Sequence, residues 1–314
     1  MRINGVQYEL GENIIKEIKE LSDEQWNANQ KTLNNILFEA AVSPLRYEKY
    51  IVRGDLMGRK IDRIGEERVN KFGSKMVITG YRNARDVDVY FSKYDWTFKH
   101  TQYSNFKKGE IKCPYEPRIY GIGYFGEGKY KAFKNGKKTD EYYIWYNMLQ
   151  RCYDPKYQEE RPTYKGCTVE DKWLNFQNMA EWIEENYYEV PGEQMCLDKD
   201  ILHKGNKVYS RETCIFVPER INLLFTKRDN DRGKNPIGVS DLPSGNYQAY
   251  CNNGYGKTIY LGTYSTKEEA FQVYKNYKEK VIKEVIDSYE GVIPEPHYSR
   301  LREAMYNYEV EMDD

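Results

Sequence analysis

Apolar residues recur at helical spacing near the start of the chain, where they form two successive faces. The first face consists of Ile14, Ile15, Ile18 and Leu21, and the second of Leu33, Ile36, Leu37 and Ala40. A Ser-x-x-Gln capping box that begins at Ser22 separates them, and Ser43-Pro44 ends the second. The pattern predicts a helical hairpin within residues 1–57.

Short alternating runs split by Gly, Asn and Asp follow over residues 58–131. They predict strands at 76–78 and 87–91, with a turn at Lys108-Gly109. The segment holds 16 Lys and Arg against nine Asp and Glu, a net charge of +7. We expect a small basic β-domain whose Arg82, Arg85, Lys107 and Lys108 stand near aromatic residues and suit contact with phosphates. A solvated sheet face is the alternative for such a run.

Residues 132–229 combine two amphipathic helices with a strand–loop–strand–helix element. One helical face carries Trp145, Met148, Leu149 and Cys152, and the other carries Trp173, Phe176, Met179, Ala180 and Ile183. Both faces are predicted to be core. Residues 196–225 then have the order strand, long polar loop, strand, helix, and any chemistry is expected there.

The next part of the chain, residues 230–290, predicts three strands followed by one long helix. The strands fall near 237–239, 247–250 and 258–262, and Ser265 opens a helix with Ala270, Tyr274 and Val281 on its apolar face. One helix covers one face of such a sheet and leaves the other face free. The acidic residues 291–314 are predicted to pack loosely, with a short helix near 301–305.

Together these patterns predict a multi-domain α+β protein. Its parts are an N-terminal helical segment (1–57), a basic β-domain (58–131), a ββα module with flanking helices (132–229), a three-stranded sheet with a helix (230–290) and an acidic C-terminal tail (291–314).

Composition narrows the class of protein. The 314 residues contain 48 Lys and Arg against 49 Asp and Glu, and the mean hydropathy is −0.89. No apolar run approaches the ~20 residues of a membrane span, and residues 1–4 lack the apolar stretch of a signal peptide. The six cysteines form no Cys-x-x-Cys pair. A cytoplasmic protein that does not bind membranes is therefore expected.

A glycine-rich run at 121–128 superficially resembles a phosphate-binding loop. Tyr124 and Phe125 are too bulky for the dinucleotide fingerprint, and Lys129 is not followed by Ser or Thr as a P-loop requires. The run is predicted to be a bent linker.

Two stretches carry motifs in a recognisable order. The first comprises Trp145 to Cys152, Tyr164 to Val169, Trp173, Leu197-Asp198-Lys199-Asp200, Gly205-Asn206, Tyr209-Ser210, Thr213-Cys214, Phe216 and Asn222, and the second comprises Gly238-Val239, Tyr247-Gln248-Ala249, Tyr260 to Tyr264 and Glu268-Glu269-Ala270. They resemble phage and mobile-element proteins that join an HNH-type nuclease module, as in homing endonucleases, to an APETALA-type (ethylene-response-factor-like) DNA-binding domain. The resemblance covers residues 141–290.

The resemblance implies hydrolysis of DNA by a site in which a base activates water and Mg²⁺ or another divalent metal holds the phosphate. Asp198, Asp200 and Asn222 match the metal ligands. Lys199 stands where the family has its basic histidine, and Thr213 stands where it has the orienting residue. A lysine between two carboxylates stays protonated, so the site is expected to be degenerate unless the nearby His203 replaces the base.

In the same family, the sheet of the DNA-binding domain enters the major groove. The matching exposed positions here are Gln248, Tyr250, Asn252, Lys257 and Tyr260, and the two amides suit adenine edges. These strands carry no arginine. The basic 58–131 segment is therefore expected to supply contacts with phosphates.

Two functions follow from the sequence. The first is a double-stranded-DNA-binding protein of a phage or mobile element with a degenerate, metal-dependent nuclease site. The second is a nuclease-dead scaffold that regulates or inhibits a host protein such as a defence factor; the near-neutral charge, the acidic tail and the 31 tyrosines favour it. DNA affinity that falls steeply with salt distinguishes the first function from the second.

Overall fold

The structure is a computed structural model that describes residues 2–3, 6–7, 62–226, 235–312 and 314. The chain divides into two compact units, residues 1–113 and 114–314. Helices and several small sheets are mixed in it, so the predicted multi-domain α+β class is confirmed. The helical hairpin predicted at 14–40 lies outside the described residues. Strands β1 (Arg2–Ile3) and β2 (Val6–Gln7) pair antiparallel.

The first unit contains a four-stranded antiparallel sheet. Its strands are β3 (Glu67–Val69), β4 (Lys75–Asn83), β5 (Asp86–Phe91) and β6 (Trp96–Thr101), in that spatial order, and helix α1 (Tyr103–Lys108) follows. Alternate residues of β4 and β5 are fully buried: Met76, Ile78, Val87, Val89 and Phe91. Helix α1 contacts β5 and contributes the buried Phe106. The period-two pattern therefore gives this sheet one apolar face.

The first unit ends at Cys113, short of the predicted domain boundary at residue 131. The glycine-rich run is no linker, because it packs within the second unit. The backbone of Tyr124 bonds to Leu174 and Phe176 at 2.9 Å each. Gly126 has φ +65°, and a Cβ atom there would lie 2.2 Å from Oδ1 of Asn175, so backbone conformation and close approach both require glycine.

One core of the second unit forms around two helices. After the hairpin of β7 (Phe133–Lys134) and β8 (Lys137–Lys138) come α2 (Asp140–Tyr153), α3 (Pro155–Glu160), β9 (Thr168–Val169) and α4 (Phe176–Asn186). The side chain of Thr139 caps α2 by accepting from the N–H of Tyr142. Both predicted apolar faces are buried, and Nε1 of Trp145 donates to the carbonyl of Trp173 at 2.8 Å.

The strand–loop–strand–helix element is present as predicted. Strands β10 (Met195–Asp198) and β12 (Ile215–Pro218) pair antiparallel, and α5 (Glu219–Leu224) follows directly. Within the loop, β11 (Val208–Tyr209) pairs parallel to β9. All of β12 is buried because Phe216 faces the first core while Ile215 and Val217 face a second core.

The second core also contains the three-stranded sheet β13 (Val239–Asp241), β14 (Tyr247–Asn252) and β15 (Thr258–Tyr264), with α6 (Lys267–Asp287) and α7 (His297–Tyr306). A capping box of Thr266 and Glu269 begins α6. The predicted boundary at 229/230 therefore does not separate two cores. The tail was predicted to pack loosely, which is wrong: α7 confirms its short helix, and Leu301, Met305 and Val310 are buried.

Candidate functional site

Asp198 lies at the end of β10, where the chain turns into the loop. Its Oδ1 accepts hydrogen bonds from the backbone N–H groups of Asp200 at 2.8 Å and Ile201 at 2.7 Å. These bonds close a turn directly after β10, which ends at Asp198, so Asp200 lies outside the strand. Burial and the charge of Asp200 raise the pKa of Asp198 to about 6.

Lys199, which the resemblance would place at the position of the base, is buried and paired. Its Nζ lies 3.0 Å from Oδ2 of Asp200 and 5.9 Å from the ring centre of Tyr209. Burial acts to lower the pKa of Lys199, but the charge and hydrogen bond of Asp200 outweigh it and raise that pKa. A lysine held in this way donates hydrogen bonds and does not accept a proton from water.

Thr213 and His203 have separate positions in the loop. Oγ1 of Thr213 donates to the carbonyl of Val208 at 2.7 Å and so closes the turn before β12. His203 is exposed, and its carbonyl accepts from the N–H of Asn206. Asn206, whose role was not predicted, donates from its side-chain amide to the carbonyls of Lys199 and Val208 at 2.7 Å each. The loop is therefore held largely by side-chain bonds to backbone carbonyls, and no hydrogen bond or ion pair joins Lys199, His203 and Thr213 within residues 62–226.

Asn222 lies on α5 with a half-buried side chain. Its carbonyl accepts from the N–H of Phe225, and its side chain has no hydrogen bond to another described residue. Among the described His, Cys, Asp and Glu side chains, Asp198 and Asp200 belong to no group of three ligand atoms close enough to hold a metal. Asp198 and Asp200 therefore have no third His, Cys, Asp or Glu ligand beside them among the described residues.

One cluster of described residues does bring three possible metal ligands together. It consists of Asp86, Asp88 and His100, whose ligand atoms lie within 4.8 Å of one another. The guanidinium of Arg82 occupies this cluster: Nε lies 2.6 Å from Asp86, and Nη2 lies 2.7 Å from Asp88. All four carboxylate oxygens accept from Arg82, which lowers the pKa of both aspartates to about 2. The cluster is an ion-pair network that engages Nε, Nη1 and Nη2 of Arg82, and the expected contact of Arg82 with phosphates stays a prediction.

The other three basic residues predicted to contact phosphates, Arg85, Lys107 and Lys108, are not engaged in ion pairs with other described residues. Arg85 lies in the turn between β4 and β5, which joins the start of α1 through a bond from the N–H of Tyr103 to the carbonyl of Ala84. Lys107 and Lys108 form the last turn of α1. All three are exposed, and none forms an ion pair with another described residue.

The β13–β15 sheet brings four of the five predicted contact residues together on its face opposite α6. Gln248, Tyr250 and Asn252 alternate along β14 with the buried Ala249 and Cys251. Tyr260 of β15 pairs with Tyr250, and the ring centres lie 5.3 Å apart. The hydroxyl of Tyr250 donates to Oε1 of Gln248 at 2.9 Å. The fifth residue, Lys257, is exposed just before β15. We call this surface the open sheet face.

No family model, curated protein or solved structure matches the chain. The HNH-type and APETALA-type resemblances therefore stay predictions that rest on the motifs. Among the described residues, no helix has both the length and the apolar character needed to cross a membrane.

The second unit also contains a basic hairpin that was not predicted from the sequence. The β7–β8 hairpin turns at Asn135-Gly136, where both residues have positive φ, and Lys131, Lys134, Lys137 and Lys138 are exposed around it. None of these four lysines forms an ion pair with another described residue. Phe133 on β7 is 55% exposed. The sequence pattern that indicates this hairpin is an Asn-Gly turn flanked by lysines. It was not recognised because the predicted domain boundary at residue 131 separated Lys131 from the other three lysines. We call this element the lysine hairpin.

Asp198→Asn is expected to keep the fold and to stabilise the protein at neutral pH. An amide oxygen still accepts the two N–H bonds, whereas the enclosed negative charge is removed. The folded pKa of about 6 lies above the ~3.9 of an unfolded Asp, so the contribution of this carboxyl to stability falls as the pH rises from about 4 to 6. The stability of the asparagine variant relative to the wild type should therefore rise over that window. Urea unfolding on both sides of this window measures the difference.

Asp198→Ala is the matched comparison, because it removes the acceptor as well as the charge. It should be less stable than Asp198→Asn by about 1–3 kcal/mol. Equal stability of the two variants at every pH would show that the turn does not depend on these bonds.

Proposed function

We propose that this chain binds double-stranded DNA and does not cleave it at the ββα element. The observation that carries the proposal is the open sheet face, on which two amides and two tyrosines lie side by side on adjacent strands. The major groove admits β-strands, and amide side chains pair with adenine while phenol hydroxyls reach phosphates. Gln248 and Asn252 are the base-contacting residues in this proposal, and Tyr250 and Tyr260 support them.

Affinity for DNA requires positive charge, which the open sheet face lacks apart from Lys257 at its edge. The lysine hairpin supplies four ammonium groups without counter-charges among the described residues. Arg85, Lys107 and Lys108 supply three further cations from the first unit. Contacts of this kind bind phosphates without regard to sequence, and the sheet residues then give specificity.

Cleavage is not proposed because the protonated Lys199 occupies the base position. Its ammonium is paired with Asp200, and Oδ1 of Asp198 is bound by two backbone N–H groups. Plasmid DNA incubated with the protein and Mg²⁺ or Mn²⁺ should therefore stay intact. Metal-dependent nicking that is lost in Asp198→Ala would overturn this part of the proposal.

A host protein is the second candidate partner. Exposed tyrosines favour it: Tyr255 is 62% and Tyr260 54% exposed, and the surrounding face carries little charge. Tyrosine is enriched at protein interfaces. Association that does not change with salt would support this candidate over DNA.

The variant Tyr250→Ala/Tyr260→Ala tests the proposal. We expect its affinity for duplex DNA to fall about tenfold or more, since buried tyrosine contacts contribute ~1–2 kcal/mol each at interfaces. Fluorescence anisotropy of a labelled duplex across a salt series gives the affinity. The control is Tyr143→Ala on α2, where the tyrosine is 58% exposed but distant in sequence from the sheet. Equal losses in both variants would mean that the open sheet face is not the contact surface.

A further inference from the structure

A cavity of about 940 Å³ lies between α5 and the edge of strand β14. It exists because β13 is short: β13 pairs with residues 247–249 of β14, and the last bond on that side runs from the N–H of Tyr250 to the carbonyl of Gly238. The edge of β14 at Cys251 and Asn252 is therefore open on this side. Arg220 of α5 and Lys278 of α6 both line the cavity.

Lys278 is the buried cation of this cavity. It occupies a core position of α6, between Tyr274 and Ile282, and it is 9% exposed. It forms no ion pair or hydrogen bond with another described residue. Burial lowers its pKa, and the neighbouring Cys251 is the group that acts in the opposite direction. A buried ammonium without a counter-charge is destabilising, so its presence beside a cavity points to an anion.

Arg220 provides a second donor. Its guanidinium lies 3.9 Å from the ring centre of Tyr255, and its Nε donates to the carbonyl of Gly254 at 2.9 Å. Its Nη2 is buried and has no hydrogen-bond partner. A buried N–H group without an acceptor costs about 1–3 kcal/mol, which an anion in the cavity would offset.

Two carboxylates also line the cavity, and neither pairs with these cations. Both oxygens of Glu193 accept from the hydroxyl of Tyr289 at 2.7 Å. Glu219 forms no ion pair with another described residue, and its N–H donates to the carbonyl of Gln194. Nζ of Lys278 and Nη2 of Arg220 are therefore the donors that can serve a ligand.

We propose that this cavity binds a phosphate monoester, with Lys278 and Arg220 as its two cationic partners. The two positive charges match the two negative charges of a monoester, and each phosphate oxygen accepts hydrogen bonds. The cavity is larger than a phosphate group and is also lined by Tyr250, Asn252 and Tyr255, so a phosphate attached to a nucleoside fits. A free nucleotide and a 5′-terminal phosphate of DNA share this chemistry. The site shares Tyr250 and Asn252 with the open sheet face, but its two cationic partners are not among the proposed contacts with internal duplex DNA.

Thermal unfolding of the full chain tests the proposal with adenosine monophosphate, inorganic phosphate, adenosine and sodium chloride at matched ionic strength. Adenosine monophosphate should raise the Tm in a saturable manner, and adenosine and the salt should not. A 5′-phosphorylated duplex that raises the Tm more than its unphosphorylated form would identify a DNA end as a source. Absence of any shift with all the phosphorylated probes, or an equal shift with adenosine, would overturn the proposal.

Lys278→Met gives the sharper result, because methionine fills a similar volume without charge. Without ligand its Tm should exceed that of the wild type, and the shift with adenosine monophosphate should disappear. The control Lys280→Met, at a position whose side chain is 67% exposed on the same helix, should keep the shift. Arg220→Gln should weaken binding about tenfold or more. An unchanged ligand response in both Lys278→Met and Arg220→Gln would overturn the assignment.

Discussion

Replacement of Lys131, Lys134, Lys137 and Lys138 by Gln is expected to remove most of the affinity for duplex DNA. These lysines flank one tight turn and have no counter-charge among the described residues, so each is free to displace a counterion from a phosphate. Each phosphate contact contributes about −0.9 to the slope of log K against log salt. The slope should therefore become shallower by about 3 to 4, and affinity at low salt should fall on the order of a hundredfold.

The matched control changes net charge equally without touching the hairpin. Each of its four lysines is paired with a glutamate at 2.8–3.6 Å: Lys71, Lys75, Lys275 and Lys280. Their replacement by Gln should change affinity little, because these ammonium groups are already neutralised. An equal loss of affinity in the control would show that binding follows net charge, and the lysine hairpin would then have no special role. Anisotropy titrations of both variants in the same salt series give the comparison.

Strong local periodicity was sufficient to predict α2, α4, α6 and the open sheet face. Trp145, Met148 and Leu149 recur at helical spacing, and all are buried as expected. Gln248, Tyr250 and Asn252 alternate with apolar residues, and the sheet places them on one face. In both cases the signal lies within one element, so no knowledge of distant contacts is needed.

Contacts between distant residues explain what the sequence did not predict. The run at 121–128 has the composition of a linker, but Gly126 is required by Asn175 far along the chain. Arg82 was expected to contact phosphates because it lies in a basic segment. The pairing of β4 with β5 brings Asp86 and Asp88 against its guanidinium, which the sequence pattern did not indicate. The buried position of Lys278 was harder to predict. It is a charged residue at a position of the apolar face of α6, and a hydrophobic pattern with one charged position still predicts the helix without indicating a site.

Trp145→Ala is expected to lower the free energy of unfolding by about 3–5 kcal/mol. The side chain is fully buried, and its ring centre lies 5.5–6.0 Å from those of Phe125, Tyr142 and Phe176. The substitution leaves a large cavity and also deprives the carbonyl of Trp173 of its donor. Urea unfolding followed by circular dichroism measures the change.

Tyr143→Ala, two positions earlier on α2, should change stability by no more than about 0.5 kcal/mol because this side chain is exposed. The stability of α2 also affects the proposed DNA binding. Lys138 lies over the ring of Tyr146 at 4.8 Å, and Thr139 caps α2, so the lysine hairpin is joined directly to the helix that Trp145 anchors. Trp145→Ala should therefore weaken DNA binding as temperature rises, well before Tyr143→Ala does. Equal stability of the two variants would mean that Trp145 does not hold α2 in the core, and the hairpin's position would then need another explanation.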